Sequence, residues 1–207
     1  MGQDMASVDA AFGLEPYEKL YPAHMYAVVT SVAVEMNVGD MVERVGEAVA
    51  TPKLGNLMKV VTEETGATGD ALIAGVVLAL FDENMDPVER IAASETGDGT
   101  IAGYALVADH PEQRYIVQED GDTSSLQVAD IGLNIDTIKT GTPAASNSYK
   151  STMEIDSDTV NTTATLAMRI LGVHPDDTIS SDGSAGNYCR FIVKFNPEVF
   201  HSVGVLA

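Results

Sequence analysis

The chain has 207 residues, enough for one sizeable core or two small ones. Hydrophobic residues at 45% exclude wholesale disorder, and aromatics at 6% with no Trp leave the core to aliphatic side chains and Met. Eleven basic residues against 31 acidic ones give a formal charge of −20, which excludes nucleic acid and anionic membranes as natural partners, because phosphate binding draws on Lys and Arg.

Residues 1–22 carry scattered apolar side chains, and Gly13 and Pro16 stop any helical turn begun at Ser7. They read as an extended N-terminal arm that docks on its own domain or on a neighbour. Residues 23–207 read as a β-rich domain, with 23–118 and 119–207 as candidate subdomains. The runs YAVVTSVAV, MVERVGEAV and LMKVVTEE have strand character, split by turns at 36–40 and around Pro52, Gly55 and Asn56. ALIAGVVLALF fits a buried strand or a buried helix, and its Val content and glycines favour the strand. DENMDPVERIAAS fits a helix start at Asp86-Pro87 or a hairpin loop, and the hairpin is the favoured reading. IAGYALVAD and QRYIVQE are strands. In the latter Tyr115, Val117 and Glu119 alternate with Ile116, Gln118 and Asp120.

SLQVADIGLNIDTI changes phase midway, which fits a bulge or a short helical turn started by Ser124 or Ser125. YKSTMEID, TATLAMRILGV and YCRFIVKF complete the strands, separated by the turn Ser157–Thr159 and an Asp/Gly-rich loop. Regular strand spacing with turn signals throughout predicts an all-β barrel or sandwich, jelly-roll-like, with at most short helices.

No motif for chemistry stands out. His24, His110, His174 and His201 lack a metal-ligand spacing, and His110 and His174 precede Pro in surface loops. No nucleophile elbow, phosphate cradle or EF-hand loop is present. Acidic groups at 119–122, 156–158 and 176–177 offer oxygen ligands for a hard cation but read as ordinary turn chemistry, so no metal, cofactor or catalytic residue is assigned. The chain therefore reads as a non-enzyme. Asn161-Thr162-Thr163 is a formal glycosylation sequon without a secretory signal, and Ala6 stands where a myristoylation sequence has Ser or Thr. No apolar run approaches the roughly 20 residues of a membrane helix. The single Cys189 reads as a packed side chain in a protein folded in a reducing cytoplasm.

Four segments carry a family resemblance: Val117 to Asp120, Ala129 to Asn134, Ile155 to Thr159 and Val193 to Asn196. In this order and with these spacers the chain resembles capsid decoration (cement) proteins of tailed bacteriophages, of the kind found in short-tailed cyanophages and marine phages. The resemblance covers roughly residues 100–200. It implies a β-rich virion protein, made in the host cytoplasm, that adds late to the outside of an icosahedral shell. There it would bridge capsomers of a separate major capsid protein, usually as a dimer or trimer, without catalytic residues or cofactors. The N-terminal arm is then the natural tether, and Phe12, Leu14, Tyr17, Leu20 and Tyr21 are the candidate partner-interface residues. The alternative is a β-sandwich receptor- or glycan-binding module of a virion fibre or tail, with Tyr104, Tyr115, Tyr149 and Tyr188 as candidate sugar platforms.

Overall fold

The computed structural model describes residues 9–29, 35–45, 49–50, 57–58, 60–63, 73–93, 101–122, 125–141, 149–177, 183 and 185–196. The first eight residues of the arm, the end of the first predicted strand, the loops at 51–56, 65–70, 95–100 and 142–148, most of 178–184 and the tail with His201 lie outside the described residues.

Among the described residues the strands follow in chain order: β1 (Glu15–Pro16), β2 (His24–Val29), β3 (Met36–Asn37), β4 (Met41–Arg44), β5 (Val49–Ala50), β6 (Leu57–Met58), β7 (Val60–Glu63), β8 (Ile73–Phe81) and β9 (Pro87–Val88). Then come β10 (Arg90–Ile91), β11 (Ile101–Ala108), β12 (Arg114–Gln118), β13 (Asn134–Ile135), β14 (Thr137–Lys139), β15 (Met153–Ile155), β16 (Met168–Val173) and β17 (Arg190–Phe195). Short 3₁₀ turns over Val128–Asp130 and Ser157–Thr159 are the helical elements among the described residues. The protein is all-β, of the barrel and sandwich type that the sequence predicts.

The first half closes on itself. Its strands run β11-β2-β7-β4-β8, and β8 pairs back onto β11, so five strands form a ring; β9 extends it from β8. All of these pairs are antiparallel except β2 with β7. Closure removes the unpaired edges that an open sheet would expose. One cluster draws on every ring strand, through Tyr26 and Val28 of β2, Val61 of β7, Val42 of β4, Val77 and Leu80 of β8, and Ala105 and Val107 of β11. It is the barrel interior.

The second half is a five-stranded antiparallel sheet, β1-β12-β17-β16-β13, with the ribbon β14-β15 beside it. Strict alternation along β17 buries Phe191, Val193 and Phe195, and β12 buries Tyr115 and Val117 in the same way. These side chains share a core with Met153 and Ile155 of the ribbon and with Met41, Ile73, Val76 and Ala108 of the barrel. Strand β8 thus contributes to two cores, Ile73 and Val76 to the shared one and Ala74 and Val77 to the barrel. A strand buried on both faces has no polar face, which is why ALIAGVVLALF shows no alternation. The candidate subdomains are therefore joined by a continuous apolar core.

The hairpin reading of residues 82–91 holds. Asp82 Oδ1 accepts the backbone N–H groups of Asn84 and Asp86 at 2.8 and 2.9 Å, and this Asx-type turn sends the chain back as β9 against β8. The phase change after Val128 is a 3₁₀ turn. It starts at Gln127 rather than Ser124 or Ser125, because Asp130 folds back to accept from the Gln127 backbone N–H at 2.8 Å. The predicted strand TATLAMRILGV begins only at Met168, since Thr163 and Leu166 close a turn before it.

The described part of the arm, from residue 9, docks on its own domain. Strand β1 pairs with β12, the Tyr17 N–H reaches Arg114 O at 2.8 Å, and the Ala10 N–H reaches the Gln118 side chain at 3.1 Å. Leu14 enters the shared core at 1% exposure, and its N–H bonds Gly39 O at 2.9 Å. This close crossing needs Gly13, which has φ +75° and whose Cβ would lie 2.6 Å from Gly39 O.

Leu14→Ala should therefore cost about 2–5 kcal/mol in urea denaturation, the range for a large buried side chain truncated without collapse. Leu20→Ala, 56% exposed six residues on, should stay within about 0.5 kcal/mol. Equal losses would contradict the docking of the arm through Leu14, which lies across the shared core like a strap.

Candidate functional site

Strand parity brings a carboxylate into the core. In β12 the inward positions are Tyr115 and Val117, and the next inward position is Glu119, fully buried. A parallel bridge between Glu119 and Ile155 lays the chain after β12 beside the end of β15. Asp120 N–H donates to Ile155 O at 3.2 Å, and two acidic segments distant in sequence become neighbours. Carboxylate oxygens of Glu119, Asp120 and Asp122 lie within 4.8 Å of one another. Ser157 Oγ sits 2.7 Å from Asp122 Oδ1 and 3.0 Å from Asp120 Oδ1. A hydroxyl carries one proton, so it can donate to only one of these two acceptors at a time.

The environment opposes charge. Burial, reinforced by Asp120, pushes the Glu119 carboxyl up to about 7, although the Tyr188 N–H donates to its Oε2 at 2.8 Å. Burial also raises Asp120 and Asp156, and neighbouring aspartates add to both shifts. Close by, Glu154 is 3% exposed and accepts the Thr140 hydroxyl at 2.6 Å. Burial pushes it up to about 7, with Asp9 and Asp120 contributing. None of the ion pairs among the described residues involves Glu119, Asp120 or Glu154.

Of the three acidic groups visible in the sequence, 119–122 and 156–158 converge, while 176–177 does not. There Asp177 pairs with Arg190 at 2.8 Å, and Asp176 stands 3.8 Å from His174.

A second buried electrostatic feature locks the barrel to the ribbon. Lys139 Nζ of β14 donates to Asp40 Oδ2 and to Glu35 O, both at 2.7 Å, with Lys139 4% and Asp40 0% exposed. Burial raises Asp40, and Lys139 offsets part of the shift. Nothing in the local sequence announces this pair, which is separated by 99 positions.

His110 and His174, expected on the surface, are half-buried against rings of the arm, whereas His24 is exposed. His110 stacks on Tyr21 with ring centroids 4.1 Å apart, and His174 meets Tyr17 edge-on at 5.9 Å. His24 Nδ1 lies 2.8 Å from Asp109 Oδ1, and the Tyr26 hydroxyl donates to the same carboxylate at 2.7 Å. This trio joins β2 to the end of β11 and includes no nucleophile of the Ser or Cys type. Cys189 is buried, as expected of a packed thiol.

The candidate interface residues divide. Leu14 belongs to this chain's own core, Phe12, Tyr17 and Tyr21 are half-buried against the domain, and Leu20 is exposed. Among the candidate sugar platforms, Tyr104 and Tyr115 are fully buried. Arg90 covers the ring of Tyr149 at 4.1 Å, and Tyr188 is half-buried against Gly121. Comparison with protein-family models, curated proteins and solved structures finds no match.

Two tests follow from these buried charges. Lys139→Met should cost roughly 3–5 kcal/mol at neutral pH, because Asp40 loses its cation, and adding Asp40→Asn should restore part of the loss. For Glu154 the folded value lies above its ordinary 4.5, so its contribution to stability is fully present below about 4.5 and lost as pH rises through about 7. Urea midpoints should fall from mildly acidic to mildly alkaline pH, and Glu154→Gln should flatten part of that slope. An unchanged slope would mean that Glu154 titrates normally.

Proposed function

We propose that this chain is a structural virion protein that binds the outer surface of an icosahedral phage capsid and stabilises it by bridging capsomers. The observation that carries the reading is the arrangement of the four segments on which the family resemblance rests. All four lie in the second half of the fold, on the five-stranded sheet and the turn after β15. Val117 to Asp120 closes β12, whose partner strand β17 carries Val193 to Phe195; Val117 itself faces Phe191, and Val193 faces Tyr115. Asp120 contacts Ser157 in the segment Ile155 to Thr159. Gly132 N–H in the segment Ala129 to Asn134 bonds Ile170 O of β16, the neighbour of β17.

Other properties favour the same role. A formal charge of −20 keeps a mass-produced protein soluble and repels it from packaged DNA. Repetition on a shell lets modest contacts add up through multivalency, so no deep pocket is required. The partners on this reading are the major capsid protein and further copies of the chain, as a dimer or trimer. The contact surface offered by the arm narrows to its exposed side, around Leu20 with the half-buried Tyr17 and Tyr21. The burial of Tyr104 and Tyr115 removes two of the four platforms that a glycan-binding module would use.

Co-sedimentation with empty shells of the major capsid protein tests the proposal. The chain should pellet at a fixed simple ratio to the shell protein, with an affinity that depends on salt. Leu20→Asp should weaken pelleting at least about tenfold without lowering the chain's own stability, since a buried charge at an interface is costly. Failure to pellet at any salt concentration would overturn the reading.

A further inference from the structure

The geometry points to a binding site for a hard divalent cation of the calcium class at Glu119, Asp120 and Asp122, where the end of β12 meets the turn after β15. Three observations carry it. The first is spacing: one oxygen from each carboxylate lies within 4.8 Å of the others. Calcium binds oxygen at about 2.3–2.6 Å, so a single ion can reach ligands up to about 5 Å apart.

The second is independent of the clustering. Glu119 is 0% exposed, and among the described residues its Oε1 has no hydrogen-bond partner, while Oε2 is held by the Tyr188 N–H. A buried carboxylate oxygen left without a donor is costly. A cation held between Glu119 and the two aspartates would give this oxygen its partner.

The third is the shortage of positive charge. No ion pair among the described residues reaches Glu119 or Asp120, and the Asp120 carboxylate is met by the uncharged N–H and hydroxyl of Ser157 at 3.3 and 3.0 Å. The scaffold is held in advance. Asn187 Nδ2 donates to Gly121 O and Asp122 O at 3.1 and 3.3 Å. Gly121 itself has φ +67° and lies against the Tyr188 ring, which leaves no room for a Cβ. Three carboxylates favour calcium over magnesium, which demands stricter octahedral geometry and gives up its waters reluctantly. Water completes the coordination sphere. The ion would pin the five-stranded sheet to the ribbon, and it does not depend on the capsid role.

The test uses the purified full chain, stripped with chelator and titrated with calcium chloride by calorimetry and thermal melting. One ion should bind per chain and raise the melting temperature by at least about 5 °C at roughly a hundredfold excess over the dissociation constant. Magnesium should bind more weakly. Glu119→Gln and Asp122→Asn should each weaken calcium at least about tenfold while the chelated proteins melt no lower than the parent. Asp158→Asn, on the exposed side of the turn, should bind as the parent does. The inference fails if calcium stabilises no more than sodium chloride of equal ionic strength. It fails equally if both variants gain as much as the parent, which would leave Glu119 as a buried, protonated carboxyl. Because the measurement involves no shell, a negative result bears on the cation site alone.

Discussion

Strand β8 buries side chains on both faces, and the rest of the architecture depends on that. On one face Ala74, Val77 and Leu80 fill the barrel, and on the other Ile73 and Val76 meet Tyr115, Phe191 and Phe195 of the second sheet. Neither half could expose its side of this contact to water without losing stabilisation of about 25 cal/mol per Å² of apolar surface. The strap through Leu14 closes the same core from outside, and the Asp40–Lys139 pair crosses between barrel and ribbon beside it. Barrel, sheet, strap and ribbon are thus fastened by one apolar core and one buried charge pair.

The polar groups inside this scaffold follow from the same packing. Period-two parity in β12 carries Glu119 inward after Tyr115 and Val117, and the bridge to Ile155 sets it among aspartates. In a chain with 31 acidic and 11 basic residues, neutralisation of every buried carboxyl by Lys or Arg is not to be expected. Asp40 finds Lys139, whereas Glu119 and Glu154 have no ion pair among the described residues and are pushed up to about 7.

Much of the fold was legible because it is local. Alternation gave β12 and β17, turn chemistry gave the hairpin after Phe81, and the even apolar run of β8 gave a buried strand. Closure of the barrel was not legible, since the pairing of β8 with β11 and the parallel pairing of β2 with β7 are set by distant segments. The site was half legible. The acidic groups at 119–122 and 156–158 stand out in the sequence, and the alternation of Tyr115, Val117 and Glu119 already places the glutamate on the core face. What the sequence could not tell was that these segments meet while 176–177 goes to Arg190, because a contact across 37 positions leaves no local pattern. Leu14 and Leu20 looked alike as arm residues, and only register on β12 and the crossing at Gly39 separate the buried one from the exposed one.

The central claim is that this scaffold serves as a repeated surface component of a capsid. Quantitative mass spectrometry of purified virus particles, counting this chain against the major capsid protein, tests it most directly. The account predicts a ratio near one or a simple fraction such as one-third, as local symmetry axes of a shell require. A handful of copies per particle would place the chain at a tail or vertex and contradict the shell-wide role, and its absence from particles would contradict any role in the virion.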